Sequence, residues 1–213
     1  MAASTTPHPP AALPVVETFH SLQGEGFHAG RSAFFIRLAG CTVGCSWCDT
    51  KHSWPERSHP RLPLAELSAQ VGEARRMGAG FVVITGGEPL HHDLAPLCRQ
   101  LAVQGLPLHL ETSGVDPLRG QFDWITLSPK RHSPPRPELL QRCDELKVIV
   151  HHEDDLAFAE AMALQAGSGG PSPRLLLQPG WGSRTGERLA LEYVRRHPHW
   201  RLSLQCHKWL AIR

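Results

Sequence analysis

Apolar residues along this chain fall into two alternating regimes. Short runs that read as strands occur at VVETF (15–19), AFFIRL (33–38), FVVITG (81–86), LPLHLET (106–112), FDWITLS (122–128), ELKVIV (145–150), RLLLQ (174–178) and RLSLQ (201–205). Between several of them the spacing becomes helical. Leu64, Leu67, Val71 and Ala74 make one apolar stripe, and Leu94, Leu97 and Leu101 make another after Asp93, which suits an N-cap. Residues 153–166 and 185–196 predict two more helices, the last ended by Pro198.

The central strands read as continuous apolar runs, the pattern of a parallel sheet covered by helices. Strand–helix repetition then predicts an α/β fold, open or barrel-like. Eight complete units take about 250 residues, more than the 213 present. A shortened, incomplete β/α barrel is therefore expected. Residues 14–213 read as one domain, with GSGGPSP (167–173) a surface loop inside it. The Pro-rich stretch 1–13 is expected to be a disordered tail.

Composition narrows the function. A formal net charge of +2 argues against a dedicated nucleic-acid binder or a polybasic membrane anchor. No apolar run approaches the roughly 20 residues of a membrane span, and MAASTTPHPPAALP has neither a basic n-region nor an apolar h-region. The six cysteines could form disulfides in a small secreted protein. This chain is long enough to build a core without them, so a reducing cytoplasm with free thiols is expected.

Three of those cysteines stand in CTVGCSWC, as Cys41-x3-Cys45-x2-Cys48, just past strand 33–38. Sites in α/β folds gather beyond the carboxyl ends of strands, and thiolates select zinc or iron–sulfur clusters. A structural zinc wants four protein ligands, and His52 could complete a Cys3His set. Most iron–sulfur clusters likewise take four cysteines. Three on one loop can instead hold three irons of a cubane and leave the fourth open to a small molecule. Cys98, on the stripe of a helix, reads as core, while Cys143 and Cys206 have no partner spacing.

The cysteine spacing, with Trp47 before the last thiol, resembles that of the radical S-adenosylmethionine superfamily. The resemblance implies a [4Fe-4S] cluster whose open iron chelates S-adenosylmethionine and a 5′-deoxyadenosyl radical that abstracts hydrogen, with the cofactor supplying the hard step. TGGEP (85–89) ends a strand with two adjacent glycines, which let backbone approach a ligand closely. It is similar to the superfamily's GGEP stretch, which meets the methionyl ammonium group. SPK (128–130) and QPGW (178–181) also end strands and, read alone, are ordinary loops. The resemblance makes Trp47, Asp49, Gly87, Glu88, Ser128, Pro129, Lys130, Gln178, Pro179, Gly180 and Trp181 cofactor contacts.

A second set of polar residues sits near strand ends. LQGEG (22–26) sets Gln23 and Glu25 between glycines, a donor–acceptor amide and a carboxylate that suit a guanine-like or pterin edge. Arg37, inside an apolar strand, either meets a ligand carboxylate or pairs with an internal Asp or Glu. With CDT (48–50), ETSG (111–114), ELKVIV (145–150) and HPHWRLSLQCHKWLAIR (197–213), these pieces resemble the 7-carboxy-7-deazaguanine synthase family from about residue 15 onwards.

That resemblance implies conversion of 6-carboxy-5,6,7,8-tetrahydropterin to 7-carboxy-7-deazaguanine with loss of ammonia, a radical ring contraction on the route to queuosine and related deazapurines. It also implies a homodimer and Mg2+, with Thr50 similar to the family's magnesium ligand. Leu22, Gln23, Gly24, Glu25, Arg37, Thr85, His207 and Arg213 are carried over as substrate contacts, the last through its carboxylate, its side chain free to face solvent. A small flavodoxin or ferredoxin would supply the electron. Cys206 and Trp209 depart from the Thr and Tyr of the family's ending, which bears on local packing. Two other readings stay open: a glycyl-radical activating enzyme, which shares the cysteine loop, and a zinc-stabilised binding module.

Overall fold

A computed structural model of the protein describes residues 11–169 and 171–213, so most of the expected tail and Gly170 of the GSGGPSP loop lie outside the described residues. The first strand, β1 (Ala12–Leu22), begins two residues before the expected boundary at 14. β2 (Ser32–Leu38) returns antiparallel beside it, setting Glu17 opposite Arg37. A short β3 (Arg61–Pro63) pairs with Ala12–Pro14 on the other side.

Beyond β2 every neighbour is parallel. β4 (Val82–Gly86), β5 (Leu108–Thr112), β6 (Trp124–Leu127), β7 (Glu145–Val150), β8 (Arg174–Pro179) and β9 (Trp200–Leu202) add in chain order. Among the described residues the sheet runs β3-β1-β2-β4-β5-β6-β7-β8-β9, and its two edge strands do not join. This is the incomplete β/α barrel that chain length required.

Helices cover the outside: α1 (Leu64–Arg76), α2 (Ala95–Ala102), the single turn α3 (Pro137–Leu140), α4 (Asp154–Ala166) and α5 (Arg184–Arg196), while α6 (Cys206–Leu210) lies at the cavity. Leu64, Leu67, Val71 and Ala74 of α1 are all buried, as their spacing predicts. Ser183 caps α5, its Oγ accepting from Gly186 N at 3.1 Å, whereas the N-cap of α2 is Leu94 and the expected Asp93 stands one residue earlier, its carboxylate accepting from Ala95 N at 3.1 Å. The expected strand 201–205 is replaced by the three residues of β9, an irregular link at 203–205, and then α6.

The strands are not uniformly apolar, and this corrects the sequence reading. Their outward residues, among them Ile36, Leu38, Ile84, Leu110, Leu127, Leu146, Val148 and Leu177, share one core with the helices. The alternate positions face inward and form two layers. Ala33, Phe35, Phe81 and Val83 pack with Phe19 in a second apolar cluster. One pleat further toward the carboxyl ends, Arg37, Thr85, Glu111, Thr126, Lys147 and Gln178 line a cavity. An inner face that opens onto a cavity must be polar there, and period-2 alternation supplies it.

Candidate active site

The cavity has a volume of about 540 Å³, within the roughly 300–1,000 Å³ range of sites for cofactor-sized ligands. Cys41, Cys45 and Cys48 line it together with the inward strand residues. Their loop is aimed by backbone contacts. Gly87 N donates to Leu38 O at 2.9 Å and Glu88 N donates to Gly40 O at 2.9 Å, clamping the turn after β4 against the exit of β2. Gly86, at φ 130°, and Gly87 have no room for a Cβ beside Leu38 and Gly40. The paired glycines thus serve close contact with the chain as well as any contact with a ligand.

All six cysteines are free thiols. Burial raises Cys41 and Cys45 above the ordinary thiol range, although the Lys130 ammonium partly offsets this at Cys45. A cationic group is needed to hold them as thiolates. Among the described residues, no three His, Cys, Asp or Glu side chains converge on a position for one metal ion. His52 sits in the 3-10 turn Lys51–Ser53, outside the cavity lining. This donor set fits a cluster of several metals, spread over three thiolates, better than a single Cys3His zinc. Cys98 and Cys143 are buried structural thiols, the latter pushed by burial up to about 12.

Beside the thiols lie the loops that follow β6 and β8. Ser128, Lys130, Gln178, Pro179, Gly180 and Trp181 line the cavity, as do Trp47, Asp49, Thr50, Gly87 and Glu88. Pro129 does not: it lines a neighbouring cavity, with Trp47, Lys130, Ile149 and His151 common to both. Lys130 Nζ donates to Ser128 O at 2.8 Å and Ser128 Oγ at 2.7 Å, and burial lowers its pKa. Thr50 Oγ1 stands 3.6 Å from Cys48 Sγ. Gly180 lacks room for a Cβ against the His151 ring.

Glu88 lines the cavity and is also bonded within the chain. Its carboxylate accepts from Leu90 N, Thr112 Oγ1, Ser113 N and Ser113 Oγ, which fills the roughly four acceptor sites of a carboxylate. It ties the turn after β4 to the end of β5. Asp49 is bonded by Lys208 of α6, whose ammonium also lies 5.0 Å from the Trp181 ring centroid. Trp181 in turn meets Trp209 edge-on at 6.0 Å.

The other half of the cavity is a network of charges. Gln23 Nε2 donates to Glu111 Oε1 at 2.9 Å, and Thr85 Oγ1 donates to Glu111 Oε2 at 2.9 Å. Lys147 donates to Glu25 Oε2, and Gln205 Nε2 donates to Glu25 Oε1 at 2.9 Å. Burial alone would raise the Glu25 carboxyl, but the Lys147 ammonium and its hydrogen bond hold it down at about 2. Burial opposes charge on Lys147 too, yet Glu25, Glu111 and Glu145 together raise its pKa. Both partners are therefore ionised at neutral pH.

Arg37 has the internal partner that the sequence left open. Its Nε donates to Glu17 Oε1 at 3.0 Å, and Arg213 Nη1 donates to Glu17 Oε2 at 2.9 Å. The Arg213 side chain is therefore tied to β1, while its main-chain oxygen accepts from Ser21 Oγ at 2.6 Å. Cys206 N donates to Gly24 O at 2.8 Å, docking α6 on the LQGEG loop. There His207 lies so close that Gly24 has no space for a Cβ. Leu22, Gln23, Gly24, Glu25, Arg37, Thr85, His207 and Arg213 all line the one cavity.

Glu17, Glu111, Lys147, Gln205 and Lys208 were not singled out as site residues from sequence. A charged residue at an inward position of an apolar strand, as in LHLET and ELKVIV, is the signal that marks two of them.

Three cysteines on a loop at the mouth of an incomplete β/α barrel define a radical S-adenosylmethionine protein, and the family model of the Radical SAM superfamily matches residues 35–149. Relatives narrow the class. The 7-carboxy-7-deazaguanine synthase of Prochlorococcus marinus is 51% identical, the match covering 94% of this chain and 98% of that relative. The enzyme of the same name from Synechocystis sp. is 52% identical, over 95% and 94%. The crystal structure of QueE from Escherichia coli aligns with a TM-score of 0.78 at 36% identity, over 92% of this chain and 95% of that one. The chain belongs to the 7-carboxy-7-deazaguanine synthase family.

Proposed function

We propose that this protein converts 6-carboxy-5,6,7,8-tetrahydropterin to 7-carboxy-7-deazaguanine with loss of ammonia, by a radical ring contraction that serves queuosine-type deazapurine and hence tRNA modification. One observation carries the reading: the three-thiolate loop and a charged, inward-facing hydrogen-bonding surface share a single cavity. When bound, the [4Fe-4S] cluster and S-adenosylmethionine supply one-electron chemistry and hydrogen abstraction.

The chain supplies position. Cys41, Cys45 and Cys48 hold the cluster as thiolates. Trp47, Asp49, Gly87, Ser128, Lys130 and Gln178 to Trp181 wall the cofactor, with Glu88 fixing the turn that carries Gly87. Thr50 offers a hydroxyl to Mg2+, a metal that keeps waters and takes substrate oxygens. Gln23, Glu25 and Thr85 face the heterocycle, alongside Leu22, Gly24 and His207. Arg37, steadied at Nε by Glu17, keeps the outer edge of its guanidinium for the substrate carboxylate. Arg213 closes that end of the cavity, where small misplacements cost most.

A flavodoxin or ferredoxin as electron donor, a homodimeric assembly and a cytoplasmic location complete the proposal. A net charge of +2 offers nothing dedicated to nucleic acid, and no helix among the described residues is long and apolar enough to cross a membrane. Anaerobically reconstituted protein, given reductant, S-adenosylmethionine and the carboxypterin, is expected to release deazaguanine and ammonia one for one without net loss of S-adenosylmethionine. Absence of deazaguanine, or stoichiometric consumption of S-adenosylmethionine, would overturn the proposal.

A further inference from the structure

Lys147 lines the cavity as a buried cation. It projects inward from the middle of β7, between Glu145 and Ile149 on the same face, and only 6% of its side chain is exposed. Its ammonium bonds Glu25 and, among the described residues, no other acceptor. An ammonium has three N–H donors, so two remain for the cavity that Lys147 lines. Glu25 meets Lys147, Gln205 and Gln178, which leaves acceptor capacity on a carboxylate with about four lone-pair sites. The cavity therefore presents a cationic donor directly beside an anionic acceptor, with Glu111 facing the same ammonium and Lys130 further along the wall.

That order has a chemical complement. A 2-amino-4-oxopyrimidine ring carries a carbonyl acceptor at C4 next to an N–H donor at N3, followed by the 2-amino donors. We propose that Lys147 is a specificity-determining residue that donates to the 4-oxo group while holding Glu25 as the acceptor for N3–H. The inference rests on the pterin reading above and deepens it by naming which ring edge the cavity reads. A site built to donate to an oxygen rejects an analogue that offers a donor there, because the buried donor is left unpaired.

The test compares binding of two fluorescent, unreactive pteridines to reconstituted protein at about pH 7. 6-Carboxypterin keeps the 2-amino-4-oxo edge, and 2,4-diamino-6-carboxypteridine replaces the oxygen by a donor. Wild-type protein is expected to prefer the oxo compound by about 100-fold or more. In Lys147→Met the preference falls below about tenfold, and Lys147→Arg, which keeps a cationic donor, restores part of it. Removing one partner of a buried ion pair is strongly destabilising. The double variant Glu25→Gln with Lys147→Met, which leaves no unpaired charge in the pair, is therefore measured beside it and also loses the preference. Wild-type discrimination that survives in both Met variants overturns this inference alone, as does equal binding of the two compounds by wild type. A wild-type protein that binds neither overturns the pterin reading with it.

Discussion

Gly24 has no room for a side chain because His207 occupies the space a Cβ would need. On the proposed reading both residues touch substrate, so this packing aligns the LQGEG loop with α6. Gly24→Ala is expected to push His207 aside, lowering kcat/KM by about 10²-fold while the denaturation midpoint moves by no more than about 1 kcal/mol equivalent. Steady-state kinetics beside urea titration checks this, and unchanged turnover in a folded variant would contradict it. Single residues were legible in proportion to how much of their chemistry is local. The three thiols declare themselves by spacing alone. Arg37 did not, because a guanidinium in a strand suits a ligand or an internal acid equally, and only the register β1–β2 brings Glu17 opposite it. Glu88 was legible as a site-forming residue but not as one saturated by Thr112 and Ser113, since that depends on β5 lying beside β4.

At the scale of elements, the inner face of the sheet divides into an apolar floor and a polar wall. The β1–β2 connection closes the floor. His28 packs against Phe81, His109 and Trp124, and Phe27 stacks on Trp124 at 5.5 Å. Here His109 is held neutral: burial, then the nearby His28 and Arg31, lower its pKa from 6.5 to about 4. Protonation therefore favours the unfolded chain. The stability this neutral ring contributes is complete above pH 6.5 and is lost as pH falls toward 4. At about 1.4 kcal/mol per pH unit the loss is roughly 3 kcal/mol. In His109→Phe the fall in unfolding free energy between pH 7 and 4 should be shallower by about that amount, measured by chemical denaturation at each pH. Equal slopes would mean His109 is not buried as described. Long periodic elements were readable and short ones were not. The α1 stripe spans three turns, whereas β3, α3 and α6 are too short for any period and exist because neighbours hold them: β1 pairs with β3, and Gly24 receives α6.

Across the whole molecule, chain length and strand order leave a sheet whose edges do not meet, and the cavity runs along its concave side. The three thiols, the β4, β6 and β8 exits, the Glu25–Lys147 pair and Arg37, paired with Glu17, all face that one cavity. Such a plan was legible as a fold class but not as a set of contacts. Sequence periodicity marks which residues face inward and says nothing of which inward residues meet across strands distant in the chain. The central claim is that the protein supplies thiolates to three corners of a cluster and leaves the fourth for S-adenosylmethionine. Electron paramagnetic resonance of the reduced, reconstituted protein tests it most directly. Protein carrying about four irons and four sulfides per chain is predicted to change its signal when S-adenosylmethionine is added; a signal indifferent to S-adenosylmethionine would contradict the account.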